Sequence, residues 1–378
     1  MKFCKNCLQP DTRPATFFLN GVCPACRYSK SVNNKIYEWD IRLEILQKIF
    51  SQFKQHSHYD CIIGVSGGKD STRQAVWIKE KLKKRPLLVT LSYPPEQITN
   101  LGAKNLSNLI SLGFDHQVIS LQPQTWKKLL KIGFTKYGNW AKASEQALIS
   151  AVPILANKLK IPLILWGENP SIQLGDMKTS GKHEWDGNNL KNLNTTQGGN
   201  IEWMIDYGFN KHDILNYEFP KKKKFNNTQI IYLGWFWDDW SLKSNGLSAL
   251  LRGLERRKES FKKNQDMYGL TALDEDWVIL NQMLKYYKYG FGRVTDYVNE
   301  EIRNQKISRS EGIEIIERYD GSCSDHCIES FCRYINISNK KFWSIVSSFV
   351  NKDLFEIKFL NTKSKPIILK KFKVGYDL

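Results

Sequence analysis

The sequence lacks the long apolar segments that direct a protein into or across a membrane. No stretch of its 378 residues approaches the roughly 18 unbroken apolar residues of a membrane-spanning helix. The N-terminus, which begins MKFC, has no apolar run of the kind found in a signal peptide. We therefore expect a cytoplasmic protein, and a chain of this length favours two or three domains over one.

Acidic residues are scarce compared with basic ones. The chain has 38 Asp and Glu residues against 56 Lys and Arg residues, so its formal net charge is +18. Such an excess favours an anionic partner, which could be nucleic acid, a nucleotide, an anionic sugar or an acidic membrane surface. Short lysine runs such as residues 221–224 are more often solvated loops. Composition therefore does not by itself indicate nucleic-acid binding.

The cysteines lie mainly at the two ends of the chain. They are Cys4, Cys7, Cys23, Cys26, Cys61, Cys323, Cys327 and Cys332. Without a secretory signal disulfides are not expected, and close cysteine pairs then indicate metal binding. The first four form two CxxC pairs separated by 15 residues, a spacing that predicts a closed tetrahedral zinc site with a structural role. An iron–sulfur cluster or reduced free thiols are the alternatives.

Short apolar runs alternate in the middle of the chain with segments whose apolar residues recur at helical spacing. The runs predict strands at 60–65, 86–93, 116–121 and 161–167. The spacing predicts helices at 38–54, 101–112, 125–136 and 144–158. A further helix is predicted after the loop that follows the first strand, and it ends at about residue 83. This alternation indicates an α/β fold with a parallel sheet covered on both faces. Residues 168–235 are irregular, which is typical of a lid or an insertion, and residues 245–378 are predicted to be mostly helical.

A glycine-containing loop follows the first predicted strand. It consists of Ser66, Gly67, Gly68, Lys69, Asp70 and Ser71. The two glycines let the backbone approach an anion closely, and the next helix directs its free N–H groups and positive dipole end at the loop. The serine hydroxyls and the lysine add further donors and a positive charge. The loop therefore predicts a phosphate site, with an ordinary strand-to-helix turn as the alternative.

The loop departs from the two best-known nucleotide-binding patterns. The Walker pattern requires Gly where Ile63 stands and Ser or Thr where Asp70 stands, and the spacing is not that of G-x-G-x-x-G. A carboxylate at the start of a helix suits either a Mg²⁺ ligand or a helix cap. SGGKDS after a buried strand instead resembles the PP-loop of the ATP pyrophosphatases, enzymes that transfer AMP from ATP and release pyrophosphate.

Several longer segments narrow the resemblance. They are KFCKNCLQPDTRPATFFLNGVCPACRY, GVSGGKDS, ITNLGAKNLSNLISLGFDH, LILWGENP, YLGWFWDDW and GFGRVTDYVNEEIRNQKISRSEGIEIIERYDG, in that order. Together they resemble the N-acetyl sugar amidotransferase family of bacterial lipopolysaccharide O-antigen and related surface-polysaccharide biosynthesis, from residue 1 to about residue 321. The resemblance implies a PP-loop domain of the adenine nucleotide alpha hydrolase-like (HUP) type at 35–240. It also implies a zinc-knuckle module at 1–34 and a mostly helical region at 241–378.

The resemblance implies an ATP-dependent reaction on an acetamido group of a sugar, which is expected to be nucleotide-linked. ATP, as its Mg²⁺ complex, would adenylate the amide oxygen, and ammonia would displace AMP to leave an acetamidino group. The loop residues, with Lys69 and Asp70 foremost, would hold the phosphates. Glu168 would bind Mg²⁺ or orient ammonia, or it could be only a loop carboxylate beside a helix.

The resemblance also suggests residues that contact the sugar. Asn169 follows the fourth predicted strand, where ligands of parallel sheets bind. Asn105 is a second candidate, although a polar residue in a core helix is the simpler interpretation. Arg293 is a candidate for binding the substrate's negative charge, with a surface salt bridge as its alternative.

The sequence offers no glutaminase of its own. Such an activity needs a reactive cysteine with a histidine partner or an N-terminal cysteine, but Cys4 belongs to the zinc pattern and Cys61 to a buried strand. Members of the family are expected to receive ammonia from a separate glutaminase with a cyclase-like partner.

Cys323, His326, Cys327 and Cys332 could form a second metal site, but reduced buried thiols are the preferred interpretation. A tRNA-modifying PP-loop enzyme, performing thiolation or lysidine-type ligation, is the rival hypothesis.

Overall fold

The computed structural model describes residues 1–34, 39–53, 58–196, 198–221, 228–258, 261–359 and 365–378. The helices are α1 (Pro24–Asn34), α2 (Trp39–Gln52), α3 (Lys69–Glu80), α4 (Asn100–Ser111), α5 (Pro123–Tyr137), α6 (Lys142–Leu159), α7 (Pro170–Leu174), α8 (Glu202–Asp206), α9 (Leu242–Leu250), α10 (Trp277–Tyr289), α11 (Arg293–Arg303), α12 (Arg309–Tyr319), α13 (Asp325–Ile335) and α14 (Asn339–Phe349). The strands are β1 (Cys61–Gly64), β2 (Pro86–Ser92), β3 (His116–Ser120), β4 (Leu163–Trp166), β5 (Gln229–Tyr232), β6 (Phe355–Lys358) and β7 (Ile367–Lys370).

Five strands form one parallel sheet in the order β3-β2-β1-β4-β5. The predicted α/β fold is thereby confirmed, including all four strands expected from the apolar runs. The strand order reverses between β1 and β4, so the loops that follow these two strands diverge and open a crevice at the carboxyl edge of the sheet. Residues 66–71 follow β1 and Glu168 follows β4, which puts both predicted features at this crevice.

The fifth strand was not predicted, because the sequence interpretation treated residues 168–235 as irregular throughout. Gln229–Tyr232 contains only four residues, yet Ile230 and Ile231 are fully buried and the strand pairs in parallel with β4. Part of the lysine run at 221–224 lies outside the described residues. A strand this short beside a polar, Lys- and Asn-rich segment has too few residues to establish a period.

The C-terminal region is mostly helical, as expected, and it packs against helices of the α/β part. The rings of Phe134 on α5 and Phe342 on α14 stack with centroids 5.1 Å apart, and Phe331 on α13 meets Phe134 edge to face. These rings belong to the largest hydrophobic cluster of the described chain. The antiparallel hairpin β6–β7 was not predicted. The boundaries of the three predicted domains stay a prediction.

The N-terminal module is attached to α10 and α11 by polar contacts. Arg13 and Lys285 both form salt bridges with the partly buried Asp296, and the Leu8 backbone N–H donates to the Asn299 side chain over 2.8 Å. Buried charges are tolerated when they are paired in this way. No helix in the described parts of the chain combines the length and apolarity needed to cross a bilayer.

Candidate active site

The loop after β1 has the geometry expected of a phosphate-binding turn. Gly67 has a φ of +77°, and a Cβ there would lie 2.5 Å from the backbone nitrogen of Leu106. Gly68 is the N-cap residue of α3, and no side chain caps that end of the helix. The N–H groups of the first turn of α3 are thus available to an anion at this loop.

Lys69 and Asp70 form an ion pair at the start of α3. The Lys69 Nζ donates to Asp70 Oδ2 over 2.6 Å, and only 6% of Lys69 is exposed. Burial alone would lower the pKa of Lys69, but Asp70 and the nearby Tyr297 more than compensate, so the pKa is raised. Lys69 therefore remains positively charged in the crevice.

A residue from α9 holds the other oxygen of Asp70. Asn245 Nδ2 donates to Asp70 Oδ1 over 2.6 Å, and Asn245 Oδ1 accepts from Arg73 Nη1 over 2.7 Å. Both oxygens of Asp70 thus have a partner, and the carboxylate is held in one orientation. An oriented carboxylate beside a lysine is suited to accept a divalent cation that accompanies phosphates.

Glu168 faces the same group of charges from the end of β4. Its side chain reaches solvent, but surrounding protein atoms displace part of its water, and together with the charge of Asp70 they raise the pKa of Glu168. Lys69 and Arg293 oppose this shift. These electrostatic effects place the predicted residues Lys69, Asp70, Glu168 and Arg293 around one crevice, although they come from three separate segments of the chain.

Among the described residues, Arg293 forms no salt bridge, and its hydrogen-bond partner among them is a tyrosine. Its Nε donates to the hydroxyl of Tyr297 over 2.6 Å, one turn further along α11. The Lys69 Nζ lies 5.9 Å from the centroid of the Tyr297 ring. Tyr297 thus accepts a hydrogen bond from Arg293 and also lies beside Lys69 of the loop at residues 66–71, the proposed phosphate-binding loop.

Asp320 anchors the end of α11 that carries Arg293. Its carboxylate accepts from the Gly292 N–H over 2.7 Å, from the Thr295 hydroxyl over 2.6 Å, and from the Val294 and Thr295 N–H groups. A Cβ on Gly292 would lie 2.3 Å from Asp320 Oδ1, so only glycine allows this approach. The segments GFGRVTDY and ERYDG thus meet through a helix cap.

A cleft of about 280 Å³ lies beside the segments that follow β4 and β5. Tryptophan side chains form much of its wall: Trp39, Trp235, Trp237 and Trp240. Glu300 also lines it and accepts from Gln173 Nε2 over 3.3 Å. Burial raises the pKa of Glu300 to about 7, and the charge of Asp70 contributes to that shift. The charge of Asp70 in the loop therefore acts on Glu300 in the wall of the cleft.

The two asparagine candidates have structural partners. Asn105 is buried on α4, where its amide donates to the Glu255 carbonyl and accepts from the Glu255 N–H, each over 2.8 Å. Asn169 lines the cleft, but its oxygen caps α7 and its nitrogen donates to the Glu184 carbonyl over 2.8 Å. Contact of either residue with a substrate stays a prediction.

The four N-terminal cysteines converge on one point. Their sulfur atoms all lie within 4.8 Å of one another, and all four residues are buried. The Sγ atoms of Cys7 and Cys23 are 3.7 Å apart, close to the edge of about 3.8 Å that a tetrahedron with Zn–S bonds of about 2.3 Å requires. The N–H groups of Gln9, Cys23 and Cys26 donate to three of the sulfurs, as suits thiolates. The donor set therefore fits a structural metal.

The other cysteines have different surroundings. Cys327 and Cys332 are buried in the large core, whereas His326 on the same helix is exposed. Among the residues that the structure describes, only the N-terminal group brings three or more potential metal ligands together. Cys61 is fully buried in β1, and burial raises its pKa, which suits an unreactive apolar role.

Sequence reasoning missed four residues that the structure adds to the crevice and the cleft. They are Arg42, Asn245, Tyr297 and Glu300. Tyr297 could have been found, since it lies four positions after Arg293 and therefore on the same helix face. Glu300 lies on the same helix, seven positions after Arg293 and inside a segment that the resemblance already singled out, whereas Arg42 and Asn245 come from distant segments that carry no recognisable motif.

Comparison with known proteins supports the resemblance in the C-terminal region. Residues 255–365 match the family model described as LPS biosynthesis protein WbpG-like, C-terminal domain. The resemblance to a polysaccharide-biosynthesis family is confirmed for that part of the chain. No curated protein shows significant sequence similarity to the chain.

Three solved structures match parts of the chain at low sequence identity. The predicted tRNA methyltransferase subunit of Methanocaldococcus jannaschii is 17% identical, with a TM-score of 0.31 over 60% of this chain and 87% of the other. The NH3-dependent NAD synthetase of Campylobacter jejuni is 15% identical, with a TM-score of 0.30 over 59% and 100%. The NMN synthetase of Francisella tularensis is 16% identical, with a TM-score of 0.26 over 62% and 88%. At these values they carry no weight for function.

Proposed function

We propose that this chain is an ATP-dependent amidotransferase that converts an acetamido group of a sugar into an acetamidino group. The observation that carries the proposal is the crevice in which Lys69 and Asp70 face Glu168 and Arg293. A triphosphate and its cation could bind here, because the crevice has a positively charged lysine, two carboxylates and a helix N-terminus with free N–H groups. The WbpG-like match at 255–365 supports a role in surface-polysaccharide biosynthesis.

The proposed chemistry begins with activation of a poor leaving group. The amide oxygen of the sugar attacks the α-phosphorus of ATP, and the bond to pyrophosphate breaks. Ammonia then adds to the imidate carbon, and the C–O bond breaks to release AMP. Lys69 and the α3 N-terminus neutralise charge on the phosphates, which is the main task in such a transfer. Asp70 and Glu168 would hold Mg²⁺, which supplies further charge neutralisation.

A carboxylate bound to Mg²⁺ is not free to accept a proton, so proton transfer is the alternative task that we propose for Glu168. The nitrogen source must lose a proton as it forms the C–N bond, and a carboxylate with a raised pKa holds that proton better than an ordinary one does. Glu168 would accept the proton at a carboxylate oxygen and return it to solvent, to which its side chain is open. We propose that ammonia is supplied by a separate glutaminase with a cyclase-like partner.

The direct test is an incubation with ATP, ammonium and a UDP-linked acetamido sugar. We expect AMP and a sugar product lighter by about one mass unit, because oxygen is replaced by NH. Lys69→Ala should abolish AMP formation without unfolding the protein, whereas Lys79→Ala, on the same helix, should leave it intact. Wild-type turnover in the Lys69 variant would mean that the loop has another role.

A tRNA-modifying PP-loop enzyme is the second candidate, favoured by the net charge of +18. Thiolating relatives are expected to carry a pair of catalytic cysteines in the α/β domain, where this chain has only Cys61. AMP formation that depends on tRNA and not on the sugar would establish this candidate and refute the first.

A further inference from the structure

Arg42 is a buried cation that forms no salt bridge with any of the described residues, although the charge of Glu184 acts on it. Only 5% of its surface is exposed, and its guanidinium lies between the rings of Trp39 and Trp235, at 4.1 and 4.4 Å from their centroids. Its Nη1 donates to the Trp235 carbonyl over 2.8 Å. Within the described part of the chain its Nε has no acceptor. Burial therefore lowers its pKa more than the charge of Glu184 raises it, and a paired anion would relieve the cost of desolvation.

The Arg42 side chain lines the tryptophan-walled cleft, so an anion bound in that cleft would reach it. Trp235, Trp237 and Trp240 line the cleft and give it apolar surface with a few polar groups between them, which is the usual composition of a small-molecule site. The pyranose ring of a sugar, with its apolar C–H faces and polar rim, has the matching character.

The wall of the cleft contacts α3, the helix that follows the proposed ATP-binding loop. Trp237 stacks on Arg73 of α3, with the guanidinium 4.7 Å from the ring centroid. Glu300 in the cleft wall is close enough to Asp70 for the two charges to interact. The cleft wall and the start of α3 are therefore neighbours.

The charges around the cleft favour an anionic ligand. Besides Arg42 it is lined by Arg303 and Lys306, against Glu300 and Asp238. Since burial raises the pKa of Glu300 to about 7, this carboxyl is partly protonated near neutrality and offsets less of the positive charge. Arg303 Nη2 donates to the Gln173 carbonyl over 2.7 Å, whereas Lys306 is exposed at the rim.

We infer that this cleft holds the sugar substrate and that Arg42 binds a phosphate of a diphosphate ester through which the sugar is carried. This inference rests on the proposed function and specifies its substrate class. The tryptophan rings would pack on the sugar, while Arg42 would select phosphate-linked sugars over free ones. A diphosphate ester can come from a nucleotide or from a lipid carrier, and both present the same phosphate chemistry to Arg42.

Calorimetric titrations of the ATP-free protein test the inference with three probes. They are UDP-N-acetylglucosamine, farnesyl diphosphate-linked N-acetylglucosamine and free N-acetylglucosamine. We expect at least one diphosphate probe to bind more than about ten-fold more tightly than the free sugar, because a charge-assisted bond is lost without the phosphate. The probe that binds better identifies the nucleotide or the lipid as the carrier.

Substitutions then assign the effect to Arg42. Arg42→Gln should weaken the better diphosphate probe about 10- to 100-fold and leave the free sugar unchanged, and Arg42→Lys should restore part of the loss. Lys306→Gln, at the exposed rim, should weaken it only about three-fold. Arg85→Gln, an exposed cation paired with Asp115, is the control and should have no effect. Thermal melts establish that each variant is folded.

Three results would overturn the inference: equal affinity of free and diphosphate-linked sugar, failure of both diphosphate probes to bind, or unchanged affinity for the better diphosphate probe in a folded Arg42→Gln variant. The proposed reaction and the proposed role of Arg42 can be refuted independently of each other. If the diphosphate sugar binds through Arg42 but neither AMP nor amidine forms, the site assignment stands and the reaction does not. If phosphate-free sugars are converted as efficiently as phosphate-linked ones, the reaction stands and the role of Arg42 does not.

Discussion

Asn245 donates a hydrogen bond of 2.6 Å to Asp70, a residue 175 positions earlier in the chain. Asn245 lies on α9, whereas Asp70 lies in the first turn of α3, at the proposed phosphate site. The amide oxygen of Asn245, Oδ1, accepts from Arg73, so this one amide binds two residues of α3, Asp70 and Arg73. The orientation of Asp70 therefore depends on a part of the chain outside the loop motif.

Removing that amide should reduce activity more than stability. Asn245→Ala leaves one Asp70 oxygen without its donor, and we expect AMP formation to fall about 10- to 100-fold while unfolding becomes easier by about 1–2 kcal/mol. Asn108→Ala is the matched control, because Asn108 also uses its amide to bind a distant backbone carbonyl, that of Arg252. Equal losses of activity in the two variants would show that Asp70 needs no such support.

The two glycines of the loop should respond differently to alanine. Gly67→Ala combines a φ of +77° with a clash against the Leu106 backbone, so we expect a loss of stability of about 2 kcal/mol or more. At Gly68, φ is −76° and the nearest atom to a Cβ is Ser66 Oγ at 3.3 Å, so Gly68→Ala should stay folded. It should still weaken ATP binding, because the new methyl group obstructs the anion. Urea unfolding and nucleotide titration distinguish the two effects, and a stable Gly67→Ala protein would contradict this account.

The cysteine cluster should contain one zinc ion per chain. Metal analysis of the purified protein should find zinc in equal amount, and the double variant Cys4→Ser, Cys23→Ser should lose it, because two of four thiolates are removed. Cys323→Ser, outside the cluster, should retain the metal. Full zinc content in the double variant would exclude these residues as ligands.

Glu275 should make the protein less stable at alkaline pH. Burial and the neighbouring Asp274 raise the pKa of Glu275 from 4.5 to about 8. The folded protein therefore holds a proton that the unfolded chain releases between these two values, and the free energy of unfolding falls as pH rises through that window. Glu275→Gln, which can still accept from Gln97, should remove on the order of 3 kcal/mol of this fall. Urea unfolding at about pH 5 and about pH 9 would show it, and an unchanged pH dependence in the variant would mean that Glu275 is ionised throughout.

Local sequence was sufficient for much of the fold. The run at 86–93 predicted β2 within one residue, and the stripe at 101–112 predicted α4 equally closely. Both elements have enough residues to show their period, and each is bounded by turn residues. Length alone does not explain why β5 and the hairpin β6–β7 were missed, because β1 and β4 also have four residues. β5 lies in the segment 168–235, for which the sequence predicts irregular structure, and the strands of the hairpin are partly exposed.

The sequence by itself determined the phosphate-type loop and the cysteine cluster, because each is formed by residues that lie close along the chain. Glycine conformation, helix capping and CxxC spacing are local properties. Only the tertiary structure decided which side chains surround these features. Arg42, Asn245 and Glu300 come from α2, α9 and α11, and no local pattern encodes the packing that brings them to the carboxyl edge of β1 and β4. The proposed phosphate-binding site is therefore a property of the motif, whereas the proposed sugar cleft is a property of the fold.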